Sequence, residues 1–154
     1  MENGMPRFFR RLAEGVFDVE DLKFRSRELA EFMNAASVKY GFDKKSVVLV
    51  GYSNGANIAA GMLLTGYFIP AGAVLFRPMV PLTPDRPQRL GGTKIFISAG
   101  ESDNVVPRGE TERLAHLLVD SGADVRLNWV NGTHALTREE VEMAAGWLLQ
   151  NVTI

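Results

Sequence analysis

A serine stands between two glycines in "GYSNG", residues 51–55, directly after the apolar run "SVVLV". Small residues two positions either side of it permit a sharp turn from strand into helix, where the chain folds back on itself. Such a turn lifts Ser53 Oγ clear of a sheet. It also sets it at a helix N-terminus, whose N–H groups and partial positive charge suit a developing oxyanion. A serine hydroxyl needs a base to act as a nucleophile, and the chain has two histidines. His116 falls mid-helix beside Leu117 and Leu118 and reads as a surface residue. His134, in "NGTHALT", falls in a loop between the last predicted strand and the last predicted helix, where a parallel sheet presents its functional groups. An orienting carboxylate should come from another strand end between the two. "ISAGESDNVVP" supplies Glu101 and Asp103. Asp103 is the choice, because strand–Gly–x–x–Asp–x–x–Val–Pro presents it from the loop; Glu101 reads as solvated. Ser53, Asp103 and His134 in that order could perform acyl transfer through a serine nucleophile.

These residues meet only if regular elements carry them to one edge of a sheet. Asp18 with Asp21 three residues on predicts a helix start. Leu22, Leu29, Phe32, Met33, Ala36 and Tyr40 recur at helical spacing, and Gly41 is the stop. Ser46–Val50 is a continuous β-branched run, the pattern of a central strand covered on both faces. Asn54 to about Gly66 is small and apolar, a helix packed tightly on a sheet. Ala71–Phe76 and Lys94–Gly100 are further buried strands, separated by the proline-rich "RPMVPLTPDRPQRLGG", which must make the crossing without a helix. "PRGETERLAHLLVDSG" is a helix with Leu114, Leu117 and Leu118 inward. Asp124–Val130 alternates and reads as a strand nearer an edge. Thr137 and Glu140 form a capping box for a last helix that carries Val141, Ala144, Ala145, Leu148 and Leu149 inward. The expected fold is α/β: an open, mostly parallel sheet with helices on both faces.

One domain is expected over residues 1–154, with 1–17 an irregular lead-in containing Gly4, Pro6 and Gly15. Arg7, Arg10 and Arg11 alternate there with Phe8 and Phe9, which reads as a loop whose two phenylalanines pack on the domain. Hydrophobic residues make up 46 % and charged residues 23 % of the chain, as in ordinary globular proteins. A net charge of −1 offers no field to recruit nucleic acid. The chain has no cysteine, which excludes disulfides, a thiolate nucleophile and cysteine-based metal sites. It also agrees with the reducing cytoplasm expected here. No apolar run approaches the roughly 20 residues of a membrane span.

The chain resembles the carboxylesterase/phospholipase family of small serine α/β-hydrolases, which includes acyl-protein thioesterase-like enzymes. The segments that carry the resemblance are "PRFFRRLAEGVFDVEDL", "GYSNGANIA", "GAVLFRPMVPL", "GESDNVVP" and "GTHALT". It implies an esterase without cofactor or metal that hydrolyses short to medium acyl or aromatic esters. Ser53 is then the nucleophile, His134 the general base and acid, Asp103 the orienting carboxylate, and the N–H of Asn54 an oxyanion donor. Phe76, Met79, Val80 and Leu82 either line an acyl or aromatic pocket or pack as core. No segment between strands could form a large cap, so an open site is expected. The resemblance also implies further strands before the first helix, one ending in a His-Gly loop that gives a second oxyanion donor. Residues 1–17 show neither, and the chain reads as N-terminally truncated. The alternative reading is therefore a catalytically impaired hydrolase-fold module that binds or assembles. An apolar strand left without neighbours on one side leads us to expect a homodimer.

Overall fold

The computed structural model describes residues 7–13 and 15–153. Gly4 and Pro6 of the expected lead-in lie outside the described residues. The described part of that segment is more regular than the sequence suggests: Arg11–Ala13 (β1) and Val16–Phe17 (β2) pair antiparallel through a turn at Gly15, whose φ is 70°. Phe9 is buried and packs edge-on against Phe17, with ring centroids 5.1 Å apart, whereas Phe8 is exposed.

Helix α1 runs Val19–Tyr40, capped by the Asp18 side chain on Asp21 N–H and closed by Gly41 at φ 71°. A short 3-10 turn leads to β3, Val48–Tyr52, then α2, Asn54–Thr65, and β4, Gly72–Phe76. An irregular connection without helix reaches β5, Lys94–Gly100, as the prolines require. Helix α3, Arg108–Asp120, strand β6, Asp124–Val130, and α4, Arg138–Asn151, complete the chain. Strands β3 to β6 form one parallel sheet in the order β3-β4-β5-β6, so every step joins neighbours.

The two faces of the sheet carry separate cores. Leu49, Ala73, Leu75, Ile95 and Ile97 point to the face covered by α1, α2 and α3, together with Leu22, Leu63, Leu64, Leu114 and Leu118. Val74, Phe76 and Phe96 point the other way, beneath Ala144, Trp147 and Leu148 of α4. Helices on both faces follow directly from this period-2 alternation.

Three burial expectations are corrected. Strand β4 is buried throughout and β5 from Ile95 onward, whereas β3 lies at the edge of the described sheet and alternates, with Leu49 buried and Val50 65 % exposed. In α1 Leu22, Ser26, Ala30 and Ser37 are buried and Leu29 and Met33 pack half-buried on the core, while Phe32 and Tyr40 face outward. A small residue stands at Ser26 where α2 comes very close: a Cβ on Gly61 would sit 2.9 Å from Ser26 Oγ. In α4, Glu140 and Ala144 are buried, whereas Val141, Ala145 and Leu149 are exposed.

Candidate active site

The turn after β3 is built as its glycines demand. Ser53 is the residue between β3 and α2 and has φ 51°, ψ −111°, a backbone shape rare outside glycine. A Cβ on Gly51 would lie 2.4 Å from the backbone carbon of Gly55, so only glycine lets the chain double back there. Gly55 is less constrained, since a Cβ on it would only touch the Phe8 ring at 3.7 Å. Ser53 N–H donates to Phe76 O at 2.8 Å, which ties the turn to the end of β4. Helix α2 starts at Asn54, whose N–H is among the first-turn donors with no intrahelical acceptor. The Asn54 side chain faces back and accepts from Phe8 N–H at 2.9 Å.

The structure brings Ser53, His134 and Asp103 together. His134 Nε2 lies 3.0 Å from Ser53 Oγ, and His134 Nδ1 lies 2.9 Å from Asp103 Oδ2. The other oxygen of Asp103 accepts from the N–H groups of Val105 and Val106 at 2.8 and 3.0 Å. Those bonds aim the carboxylate by means of the loop alone. Burial works to raise the Asp103 pKa, but the N–H donors and His134 outweigh it and hold the group below its ordinary value. It is therefore an anion at neutral pH, and it favours the His134 tautomer with Nδ1 protonated and Nε2 free to accept from Ser53. Glu101 and His116 are both exposed and join none of these contacts.

His134 is held by its neighbours as well as by Asp103. Tyr52 O–H donates to His134 O at 3.0 Å, and the two rings lie 5.6 Å apart. Arg77, one residue past β4, is buried and donates from Nε to Thr133 O at 2.8 Å and from Nη2 to Ala135 O at 2.9 Å. Its other partners are Glu140, at 2.5 and 2.8 Å, and Ser98 Oγ, which accepts from Nη1 at 3.4 Å. The sequence reading missed Arg77 and used Glu140 only as a cap. The available signal was a lone arginine closing the buried run "AGAVLF".

The four proposed pocket residues divide. Phe76 is 4 % exposed and packs under α4, on the sheet face away from α2. Val80 and Leu82 join the main core. Met79 alone is partly exposed, and its N–H is held by Asn57 Oδ1 of α2 at 2.9 Å. A wide surface cleft runs between residues 7–13 and Asp21, Arg25 and Glu28 of α1, apart from Ser53, Asp103 and His134. No group of three or more His, Cys, Asp or Glu side chains among the described residues could hold a metal ion. None of the described helices is long and apolar enough to cross a membrane.

A parallel sheet flanked by helices, with a serine on a positive-φ turn at the mouth of one strand, is the architecture of an α/β-hydrolase. The phospholipase/carboxylesterase family model matches residues 14–151, and the chain belongs to that family. It is 46 % identical over 147 residues to MhqD of Bacillus subtilis (strain 168), covering 96 % of this chain and 74 % of that protein. The crystal structure of the Bacillus cereus carboxylesterase superposes with a TM-score of 0.94 at 48 % identity, over 98 % of this chain and 71 % of that one. A carboxylesterase from Mesorhizobium loti superposes at 0.85 with 28 % identity, over 97 % and 70 %. This family membership supports hydrolase activity.

Proposed function

We propose that the chain is a serine hydrolase of carboxylic esters, acting on short to medium acyl or aromatic esters through an acyl-serine intermediate. The observation that carries the reading is the continuous relay from Ser53 Oγ through both ring nitrogens of His134 to Asp103. His134 Nε2 takes the hydroxyl proton as Ser53 Oγ bonds to the ester carbonyl carbon. The carbonyl π pair moves onto oxygen, and the N–H of Asn54 at the start of α2 stabilises that oxyanion. Collapse expels the alcohol, which leaves with the proton held on His134. Water then gives its proton to His134 and attacks the acyl-serine. The second collapse frees the acid and returns the proton to Ser53. Asp103 stays ionised throughout and stabilises the imidazolium.

The test is labelling by a fluorophosphonate probe together with turnover of p-nitrophenyl butyrate, each compared with Ser53→Ala. Labelling and turnover that both depend on Ser53 support the reading; turnover equal to that of Ser53→Ala overturns it. Labelling without turnover would favour the second reading, an impaired hydrolase-fold module that binds or assembles. The exposed edge at β3 speaks for that role: Val50 and Tyr52 are exposed there, and β3 pairs with β4 alone among the described residues. The same edge supports a homodimer, as soluble proteins seldom leave an apolar strand edge bare. Light scattering at micromolar concentration that gives the mass of one chain would refute it. A cytoplasmic location is proposed on the cysteine-free sequence alone.

A further inference from the structure

Arg77 is the largest of the fully buried side chains, at 1 % exposure. It sits at φ 53°, a conformation that an arginine adopts only when its surroundings compel it. Two of its donors hold the carbonyls of Thr133 and Ala135, and the residue between them is His134. The carbonyl of His134 itself is held by Tyr52. Three successive carbonyls of the loop are thus pinned by side chains from the ends of β3 and β4. The guanidinium also donates to Glu140 and, from Nη1, to Ser98 Oγ at 3.4 Å; the Glu140 carboxylate in turn accepts from Ser98 Oγ at 2.5 Å and from Thr137 N–H and Oγ1, both at 3.2 Å. Glu140 opens α4, which follows the His134 loop directly, so one guanidinium fixes both ends of that segment. Arg77 Nε also lies 4.0 Å from Asp103 Oδ2. A buried ion pair by itself is a poor stabilising device compared with apolar packing, whereas donors aimed at the carbonyls either side of one histidine have a geometric purpose.

We propose that Arg77, locked by Glu140, is the positioning residue for His134. It sets the 133–135 loop at the height where Nε2 meets Ser53 Oγ. This rests on reading His134 as the base. The titratable and charged groups facing His134 are Asp103 from the loop after β5, Tyr52 from the end of β3 and Arg77 from the end of β4, with Glu140 of α4 behind Arg77.

The test uses Arg77→Lys and Glu140→Gln in the full chain, each shown to fold by its thermal transition. One readout needs no activity: the low-field proton resonance of His134 Nδ1–H on Asp103, assigned by its loss in His134→Ala. It should shift or broaden in both variants. In the kinetic arm, kcat for p-nitrophenyl butyrate should fall roughly 10- to 100-fold with KM within about twofold. The acid limb of the pH–rate profile should move down in Glu140→Gln, where a negative charge is lost. It should hold in Arg77→Lys, where the charge is kept. A role in folding alone would leave both the resonance and the acid limb in place. An unchanged resonance with kcat within about twofold of wild type overturns the proposal. If Glu140→Gln fails to fold, the resonance and kcat of Arg77→Lys decide the proposal. Should the wild type neither label nor turn over, the esterase reading falls, while the resonance still decides the role of Arg77.

Discussion

Ser53 and Arg77 occupy equivalent places on neighbouring strands. Their predecessors, Tyr52 and Phe76, are register partners at the ends of β3 and β4, and both residues have positive φ without being glycine. Each continues the parallel ladder by one bond before the chain turns: Ser53 N–H to Phe76 O and Arg77 N–H to Ser98 O, both at 2.8 Å. The sheet therefore holds both strained backbones, each at a cost of about 1–3 kcal/mol. One turn aims a hydroxyl at His134 Nε2, and the other slides a guanidinium beneath the loop that carries His134.

Ser53→Ala and His134→Ala should each lower ester turnover by about 10³-fold or more, since the residues of such a relay act as a unit. His116→Ala should stay within about twofold of wild type, because His116 is an exposed residue of α3. Steady-state rates with one activated ester decide this. A tolerated His134→Ala would mean that the base is misassigned.

Asp103→Asn should cost far more than Glu101→Gln, on the order of 10⁴-fold against about twofold. The amide can present its NH₂ to His134 Nδ1 and so select the wrong tautomer, whereas Glu101 is exposed on the same loop without a contact to the ring. Equal losses would move the orienting role to Glu101.

Three glycines should respond differently to alanine. Gly51→Ala would put a Cβ 2.4 Å from backbone across the turn, and Gly100→Ala would put one 2.4 Å from Thr133 O in the His134 loop. Both should lose activity, the second by displacing the base. Gly146 lies inside α4 with nothing within 4 Å of a Cβ. Gly146→Ala should therefore stabilise the protein by about 0.5–1 kcal/mol and leave kcat unchanged. Thermal melts with matched assays check all three.

Stability should fall on acidification through Asp103 and Glu140. Burial raises the pKa of each, yet donors outweigh it and hold both below the ordinary carboxylate value: Arg77, Ser98 and Thr137 for Glu140, Val106, His134 and Val105 for Asp103. Depressed in the folded state, these groups bind protons first in the unfolded chain. Their stabilisation is complete above the ordinary carboxylate range of about 4 and is lost as pH falls below it. Melting temperature should be level from neutral pH down to about 5 and then decline. Glu140→Gln should flatten part of that decline. A slope as steep as that of wild type would remove Glu140 from this account.

Local pattern was enough for much of this protein. "GYSNG" after an apolar strand places the serine, the order Ser53, Asp103, His134 follows the strand ends, and Thr137 with Glu140 forms the capping box the spacing implies. Strands β5 and β6 begin and end where their runs do, because each of these signals lies within a few residues of its effect. Which faces are buried was decided only by assembly. Phe32 and Tyr40 fit the apolar stripe of α1 by type, yet both face outward, because α2 packs on the side of Leu22 and Ser26, which lie against Gly61. Phe76 fits a pocket by type, yet the parity of β4 turns it under α4. The Arg77–Glu140 pair joins residues 63 positions apart, so no periodicity could announce it. A cation is stable in that interior only where the folded chain brings a carboxylate and two free carbonyls to meet it, and that meeting is a property of the tertiary structure alone.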